Sequence, residues 1–415
     1  MRVRFAGPSG PATMPNRLRP RFLRTAPRSG NTVMVSTVRA TDGPSQTIGI
    51  TVVATVRFVT LEVIVGYKVV HCGTGNIGAV ALKAILQHPD LELVGHYVST
   101  PAKAGRDSGE LVGLPRAGVT ATAEWADLHD VGADCITYFG NSIGRERDAV
   151  SDLVPFLERG TNAVTFSGFE IAHPATAPAE LRAPIDAACR TGNSTCYFTG
   201  IDPGWATTDL AIASLAAANR VDCIRVLELG WWGDYTAGFV CREYFGFGKE
   251  PGFTPLLVTG GFIEKMWAPT LYQIAEVLGL EVDEFRVVYE TDGLDHDVET
   301  GFGTVEAGTA SVVHFELQAL SGGRPFAVVE HVDCVARDVG KQWKQPFGPA
   351  DMSYRIEIEG DPSFTVEMNF GGRGGQMLSA MPAVNCVPAV CQAGPGLLGP
   401  LDVPRYWTPG RRGRV

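Results

Sequence analysis

The sequence predicts an α/β fold, a parallel-sheet domain joined to a second, α+β open-sheet domain, and three observations predict it. Strand-like and helix-like runs alternate through the first half, and a glycine-rich turn stands between the first strand and the first helix. After about Arg220 the runs alternate apolar and polar residues, as strands with one buried face do. At 415 residues and 45% hydrophobic, the chain exceeds what one core usually organises and can fill two.

The first strand is Tyr67 to Cys72, a β-branched run. Asn76 to Gln87 then carries Ile77, Val80, Ala81, Ala84 and Ile85 at helical spacing, and Leu91 to Val98 is a second strand after the Pro89-Asp90 break. Between strand and helix stands Gly73-Thr74-Gly75-Asn76-Ile77-Gly78. The first Gly permits a tight turn, the second lets backbone approach a pyrophosphate, and the third allows close helix–strand contact, with phosphates at the helix N-terminus. A bare GxGxxG is a weak signal, but inside a βαβ unit it reads as a dinucleotide site on a Rossmann-type domain.

An acidic residue about 20 positions further on would hold the ribose 2′-hydroxyl of NAD. Here the second strand ends in Ser99, with Lys103 and Arg106 following and no carboxylate at the strand end, which favours a 2′-phosphate. The expected cofactor is NADP, with NAD possible; the plainer reading of Lys103 and Arg106 is solvated loop charge.

Ala133 to Phe139, Asn162 to Phe166 and Ser194 to Phe198 are further strands, separated by helices at Asp148 to Arg159 and Ala179 to Arg190. In a parallel sheet ligands sit at the carboxyl ends of the strands, so the loops from Phe139-Gly140 to Gly144, from Ser167 to Pro174 and from Gly200 to Trp205 should ring one cleft. The second half has strand runs at Cys223 to Leu229, Phe285 to Tyr289, Ala310 to Leu317, Phe326 to Val332 and Ser353 to Ile358, read as antiparallel, with a helix at Pro269 to Leu278. The expected division is 1–64, an extension; 65–215, the dinucleotide-binding domain; 216–380, a substrate and dimerisation sheet; 381–404, a segment returning to the cofactor; and 405–415, a basic tail.

Residues 1–64 hold nine Arg, one Asp and one Glu, a net +7, which leaves −17 for the rest of a chain totalling −10. So acidic a body is a poor partner for nucleic acid. The nine Cys are scattered with no CxxC pair and no metal-ligand spacing, which reads as reduced, mostly buried thiols in a cytoplasmic protein. No run of about 18 uncharged apolar residues occurs, so no membrane span is expected. The first 64 residues admit three readings: a disordered arm, a targeting peptide, or an over-long reading frame whose true start is Met34 or near Val65.

Taken together, VVHCGTGNIG, the run LVGHYVSTPAKAGRDSGEL, Gly168-Phe169-Glu170-Ile171-Ala172-His173-Pro174, Gly200-Ile-Asp-Pro-Gly204 and Ala383-Val-Asn385-Cys-Val-Pro388 resemble the dihydrodipicolinate-reductase-like NAD(P)-binding family. Within it the sequence is most similar to 2,4-diaminopentanoate dehydrogenase and the native amine dehydrogenases. The resemblance covers roughly Tyr67 to Pro404. It implies an NAD(P)-dependent oxidoreductase acting on a C–N or C=O bond of a small amine or carbonyl compound, a homodimer joined through the second sheet, and Asn385 near the nicotinamide. The plainer reading of Asn385 is a turn residue before Pro388.

The amine dehydrogenases carry a Glu-Glu-(Leu/Met)-(Ala/Ser)-Tyr-Pro segment whose glutamate acts on the amine or imine. Here Phe169 replaces one Glu and His173 the Tyr, so only Glu170 carries over. Glu170 and His173 are the candidate acid/base residues, against a plain role as loop cap and structural imidazole. Trp205 and Tyr235 are candidate substrate-lining aromatics. The His-His-Lys set of true dihydrodipicolinate reductases has no counterpart, and His296 stands alone. The changed Glu and Tyr positions also fit an alternative, a dinucleotide-binding sensor that has lost catalysis.

Overall fold

The computed structural model describes residues 66–140, 143–371 and 374–409. The readings of residues 1–64 lie outside the described residues, as does the end of the basic tail from 410. The described residues from Gly66 onward form one compact unit.

Its first sheet is parallel and six-stranded. β1 (Tyr67–Cys72), β2 (Leu91–Tyr97), β3 (Cys135–Tyr138), β4 (Asn162–Thr165) and β5 (Thr195–Phe198) are joined by a late strand, β12 (Gly396–Leu398), in the order β12-β5-β4-β3-β1-β2. Its helices are α1 (Asn76–Gln87), the short α2 (Ser108–Leu111), α3 (Glu146–Glu158) and α4 (Ala179–Gly192). The strands between β1 and β5 read as nearly continuous apolar runs because both faces are covered. One face packs α3 and α4 through Leu153, Phe156, Leu181 and Ile185. The other packs α1 through Leu82 and Ile85, together with a segment from the far end of the chain, α7 (Gly374–Asn385) and α8 (Val387–Gln392), through Val384, Val387 and Val390.

α5 (Leu210–Leu215) leads into the second sheet, β6 (Arg220–Trp231), β7 (Glu284–Gly293), β8 (Ala310–Ser321), β9 (Arg324–Cys334), β10 (Met352–Asp361) and β11 (Phe364–Phe370), ordered β11-β10-β6-β9-β8-β7. All pairs are antiparallel except β6 with β9, which is parallel. The expectation of an antiparallel sheet is thus corrected: the crossover that carries α6 (Phe262–Leu278) leads from β6 to β7, and β7, β8 and β9 then run as an antiparallel meander whose last strand pairs with β6 in parallel. α6 begins before Pro269, where the sequence reading started it. Ile263, Trp267, Leu271 and Ile274, spaced three and four apart, bury one continuous stripe that holds the helix through the proline.

Candidate active site

The glycine turn is fixed from beneath by a buried histidine. His71, fully buried in β1, has Nε2 2.8 Å from the Gly73 carbonyl and 3.0 Å from the Gly78 carbonyl, and Nδ1 2.9 Å from Thr137 Oγ1. An Nε2–H donating to both carbonyls, with Nδ1 accepting from Thr137, satisfies the neutral ring. Burial pushes its pKa down to about 4, against the two carbonyl hydrogen bonds.

The three glycines do different work. Gly73 has φ +104°, and a Cβ there would lie 2.8 Å from the Phe139 carbonyl oxygen; a Cβ on Gly78 would lie 2.8 Å from the Gly73 oxygen. A Cβ on Gly75 would meet nothing within 4 Å. So the outer two are required by packing, and the middle one leaves open space at the N-terminus of α1. That helix has no side-chain cap and no acidic residue in its first turn. Free N–H groups facing open space are what a pyrophosphate needs, so this end of the fold fits a dinucleotide.

Around the turn the structure gathers several expected cofactor residues. Lys103 reaches back from the β2 loop to donate to the Thr74 carbonyl at 3.1 Å and to Thr74 Oγ1 at 2.9 Å. Ser99 and Arg106 stand exposed on the same loop. Phe139 stacks on Phe166 at 5.5 Å and abuts Gly73, while the Gly140 carbonyl accepts from Ser167 Oγ. Asn385 ends α7; its neighbours Val384 and Cys386 are buried in the cluster that Phe139 packs against. Tyr235, expected at the substrate, is partly buried beside Asn76 of the turn; burial raises its pKa and the Asn76 side chain opposes. It reaches there from the loop after β6.

Glu170 and His173 follow β4 but have different surroundings. Glu170 is half-buried in the short turn Phe169–Ile171; partial burial raises its pKa, Glu146 raises it further, and Lys265 opposes. Its neighbour Phe169 packs edge-on against Phe262 of α6. His173 has both nitrogens engaged, Nδ1 2.8 Å from Thr176 Oγ1 and Nε2 3.3 Å from Glu276 Oε2, and stacks on Tyr272. Burial lowers its pKa, against Glu276. These contacts brace the loop on α6. Trp205 packs with Ile201 and Tyr354, joining the end of β5 to β10.

Below the Gly200–Gly204 loop lies a polar centre that sequence reading missed. Asp202 Oδ2 stands 3.0 Å from His331 Nε2, and His331 Nδ1 stands 3.5 Å from Asp333 Oδ2. Glu228 accepts from the Tyr354 hydroxyl, and burial pushes its carboxyl up to about 8. Burial pulls the His331 pKa down, but Asp202 and then Asp333 together outweigh it and raise it well above the usual imidazole range.

A protein described as an amine dehydrogenase from Streptomyces virginiae is 30% identical over 350 residues, spanning 82% of this chain and 97% of that protein. The chain belongs to the amine dehydrogenase family. Membership places it among the NAD(P)-dependent oxidoreductases and bears out the resemblance carried by the motifs. No family model matches the chain. The solved structure of the amine dehydrogenase from Mycobacterium smegmatis superimposes with a TM-score of 0.65 at 21% identity, over 83% of this chain and 97% of that one, and so shares the fold. A dihydrodipicolinate reductase from Paenisporosarcina sp. TG-14, solved with dipicolinate, is 13% identical with a TM-score of 0.45, over 81% of this chain and 98% of that one.

Beyond the family motifs, one signal in the sequence pointed to the buried centre. In β6, Glu228 has the same parity as Ile224 and Val226, and in β9 His331 has that of Ala327 and Val329, all of which face the core. Period two therefore puts a carboxyl and an imidazole on an apolar face, where a polar group needs a partner.

Proposed function

We propose that this chain is an NADP-linked amine dehydrogenase that interconverts a small ketone plus ammonia with the corresponding amine. The observation that carries the reading is the glycine turn, open at Gly75 and overhung by Lys103, in a chain of this family. In the reductive direction ketone, ammonia, NADPH and one proton give amine, NADP⁺ and water. The bound nicotinamide would supply the hydride.

The protein's part is to hold and move protons. The N–H groups opening α1, with Thr74 and Asn76, would bind the pyrophosphate, and Lys103, with Arg106 and Ser99 beside it, the 2′-phosphate. Phe139, Gly140 and Asn385 would flank the nicotinamide end. Glu170 would take the proton that nitrogen loses on attacking the carbonyl and return one to the departing hydroxyl; a carboxyl whose pKa partial burial has raised suits both halves. His173 would hold the loop that presents Glu170. Trp205 would border the substrate and Tyr235 would close over the turn. The reading extends to the division into a cofactor region 65–215 and a substrate and dimerisation sheet 216–380, to a homodimer, and to the cytoplasm, where nine free thiols are at home.

NADPH oxidation with a panel of ketones plus ammonia tests the reading. Glu170→Gln should lower kcat by roughly a hundredfold or more on any accepted ketone while leaving NADPH affinity in place. Turnover at the wild-type rate would remove Glu170 from the chemistry. Tight NADPH binding with no turnover across the panel would instead favour a non-catalytic sensor.

A further inference from the structure

Among the described residues, two groups of His and carboxylate side chains have ligand atoms within 4.8 Å of one another, one against each face of the second sheet. On one face are His314, Glu316 and Glu330. That group already has its cations: Arg225 Nη1 lies 2.7 Å from a carboxylate oxygen of both Glu316 and Glu330, and Lys344 Nζ lies 3.2 Å from Glu330. On the other face are Asp202, Glu228 and His331, with Asp333 behind the imidazole. Among the described residues, no Lys or Arg nitrogen lies within 4.0 Å of their carboxylates.

The second group is also the more deeply buried. The side chains of His331 and Asp202 are 4% and 3% exposed, and Glu228 is 7% exposed. Three carboxyl groups gathered out of water with no Lys or Arg among them need protons or a cation in their midst.

Each member is aimed by a donor or a ring from outside the cluster. Trp267 Nε1–H donates to Asp202 at 3.0 and 3.2 Å, Trp232 Nε1–H donates to Asp333 Oδ1 at 2.8 Å, and the Tyr354 hydroxyl donates to Glu228. The imidazole is clamped between Phe315, stacked at 4.4 Å, and the edge of Trp267 at 4.8 Å. His331 Nε2 and Asp333 Oδ2 nevertheless have no aligned hydrogen bond, although Asp202 Oδ2 is only 3.0 Å from Nε2. Close approach without alignment is how two ligands of one ion face each other. A carboxylate behind the ligating imidazole and hydrogen bonds on the ligating carboxylates are the usual outer shell of a metal site.

We propose that Asp202, Glu228 and His331 bind one divalent cation of the zinc class, with Asp333 orienting His331 from behind. The mixed imidazole and carboxylate set selects a borderline ion over magnesium, which favours oxygen ligands and retains its water. The ion would tie the loop at the carboxyl end of β5 to β6 and β9, and so set the floor of the cleft. This inference does not rest on the proposed reaction.

The test uses the full chain, stripped with a chelator, incubated with zinc sulfate alone or magnesium chloride alone, dialysed, and analysed by inductively coupled plasma mass spectrometry and calorimetry. One equivalent of zinc should be retained, magnesium should not, and zinc should raise the melting temperature. Asp202→Asn and His331→Gln should each weaken zinc binding by about a hundredfold, whereas Glu316→Gln on the opposite face should leave it unchanged. Glu228→Gln, which keeps shape and the Tyr354 contact, serves should His331→Gln fail to fold, and should weaken binding likewise. Failure to retain zinc, retention of magnesium in its place, or equal retention by the Asp202 and Glu228 variants would overturn the proposal.

Discussion

His71 and His331 are both shut away from water, and the fold treats them in opposite ways. His71 meets two carbonyls and a hydroxyl, so burial wins and the ring stays neutral, with a pKa near 4. His331 meets Asp202 and Asp333, and their charge outweighs burial, so its pKa rises. Burial alone therefore does not decide the charge of a buried imidazole; the charge of its partners does. The glycine turn is accordingly a neutral frame that leaves its free N–H groups for a ligand to satisfy, whereas the centre below the Gly200–Gly204 loop is built around charge of its own.

The neutral frame breaks most sharply at Gly73. Gly73→Ala forces a side chain into φ +104° and against the Phe139 carbonyl, and should cost about 3 kcal/mol or more of stability. NADPH binding should be lost with it. Gly75→Ala is the sharpening control: with open space around its Cβ, stability should stay within about 0.5 kcal/mol of wild type, yet NADPH affinity should fall roughly tenfold or more, because on the proposed reading the methyl would stand where the phosphates approach. Calorimetry and urea unfolding of both variants separate the two losses. Equal affinity for NADPH in Gly75→Ala and wild type would remove the phosphates from this turn.

His71 offers the next largest effect, and its sign is set by linkage. The folded ring binds a proton only below about pH 4, whereas an unfolded one does so below about 6.5, so the unfolded state gains protons as pH falls between them. Stability from this group is complete above pH 6.5 and declines by about 2.5 kcal/mol on reaching pH 4.5. His71→Gln should be less stable than wild type at pH 7.5, by roughly 2 kcal/mol, because it leaves a buried carbonyl unpaired. The gap should close at pH 4.5. A gap that stays constant between the two pH values in urea unfolding would mean that the wild-type ring is not held neutral.

The two regions also differ in how far the sequence disclosed them. The glycine turn is local: strand, turn and helix lie within one short stretch, and the periodicities of Tyr67–Cys72 and Asn76–Gln87 place it without reference to the rest of the chain. The buried centre draws Asp202 from a loop, Glu228 from β6 and His331 from β9, and they meet only because β6 and β9 pair in parallel. That pairing is not written in either strand's pattern, and an antiparallel sheet was the natural expectation. β12 was missed for a related reason: three residues carry almost no periodicity, and the strand forms only because β5 offers an edge. His71 was passed over because one polar residue in a β-branched run looks like noise until the carbonyls it serves are known.

Lys103 carries the smallest expected effect, and its variant tests which dinucleotide the neutral frame takes. Its ammonium bonds Thr74 at both the carbonyl and the hydroxyl, so it could be no more than a brace on the turn. A brace would matter equally to NADH and NADPH, because on the proposed reading both would place the same pyrophosphate on α1. A partner for the 2′-phosphate would matter to NADPH alone. Lys103→Ala should therefore weaken NADPH by about tenfold, or 1.4 kcal/mol, and NADH by less than about twofold, since only the phosphate adds a charge-assisted hydrogen bond. Higher salt should reproduce part of the loss in the wild type, because the loop is partly exposed and its charges are screened. Parallel losses for the two dinucleotides would make Lys103 a structural lysine and move the choice of cofactor to Arg106, exposed on the same loop.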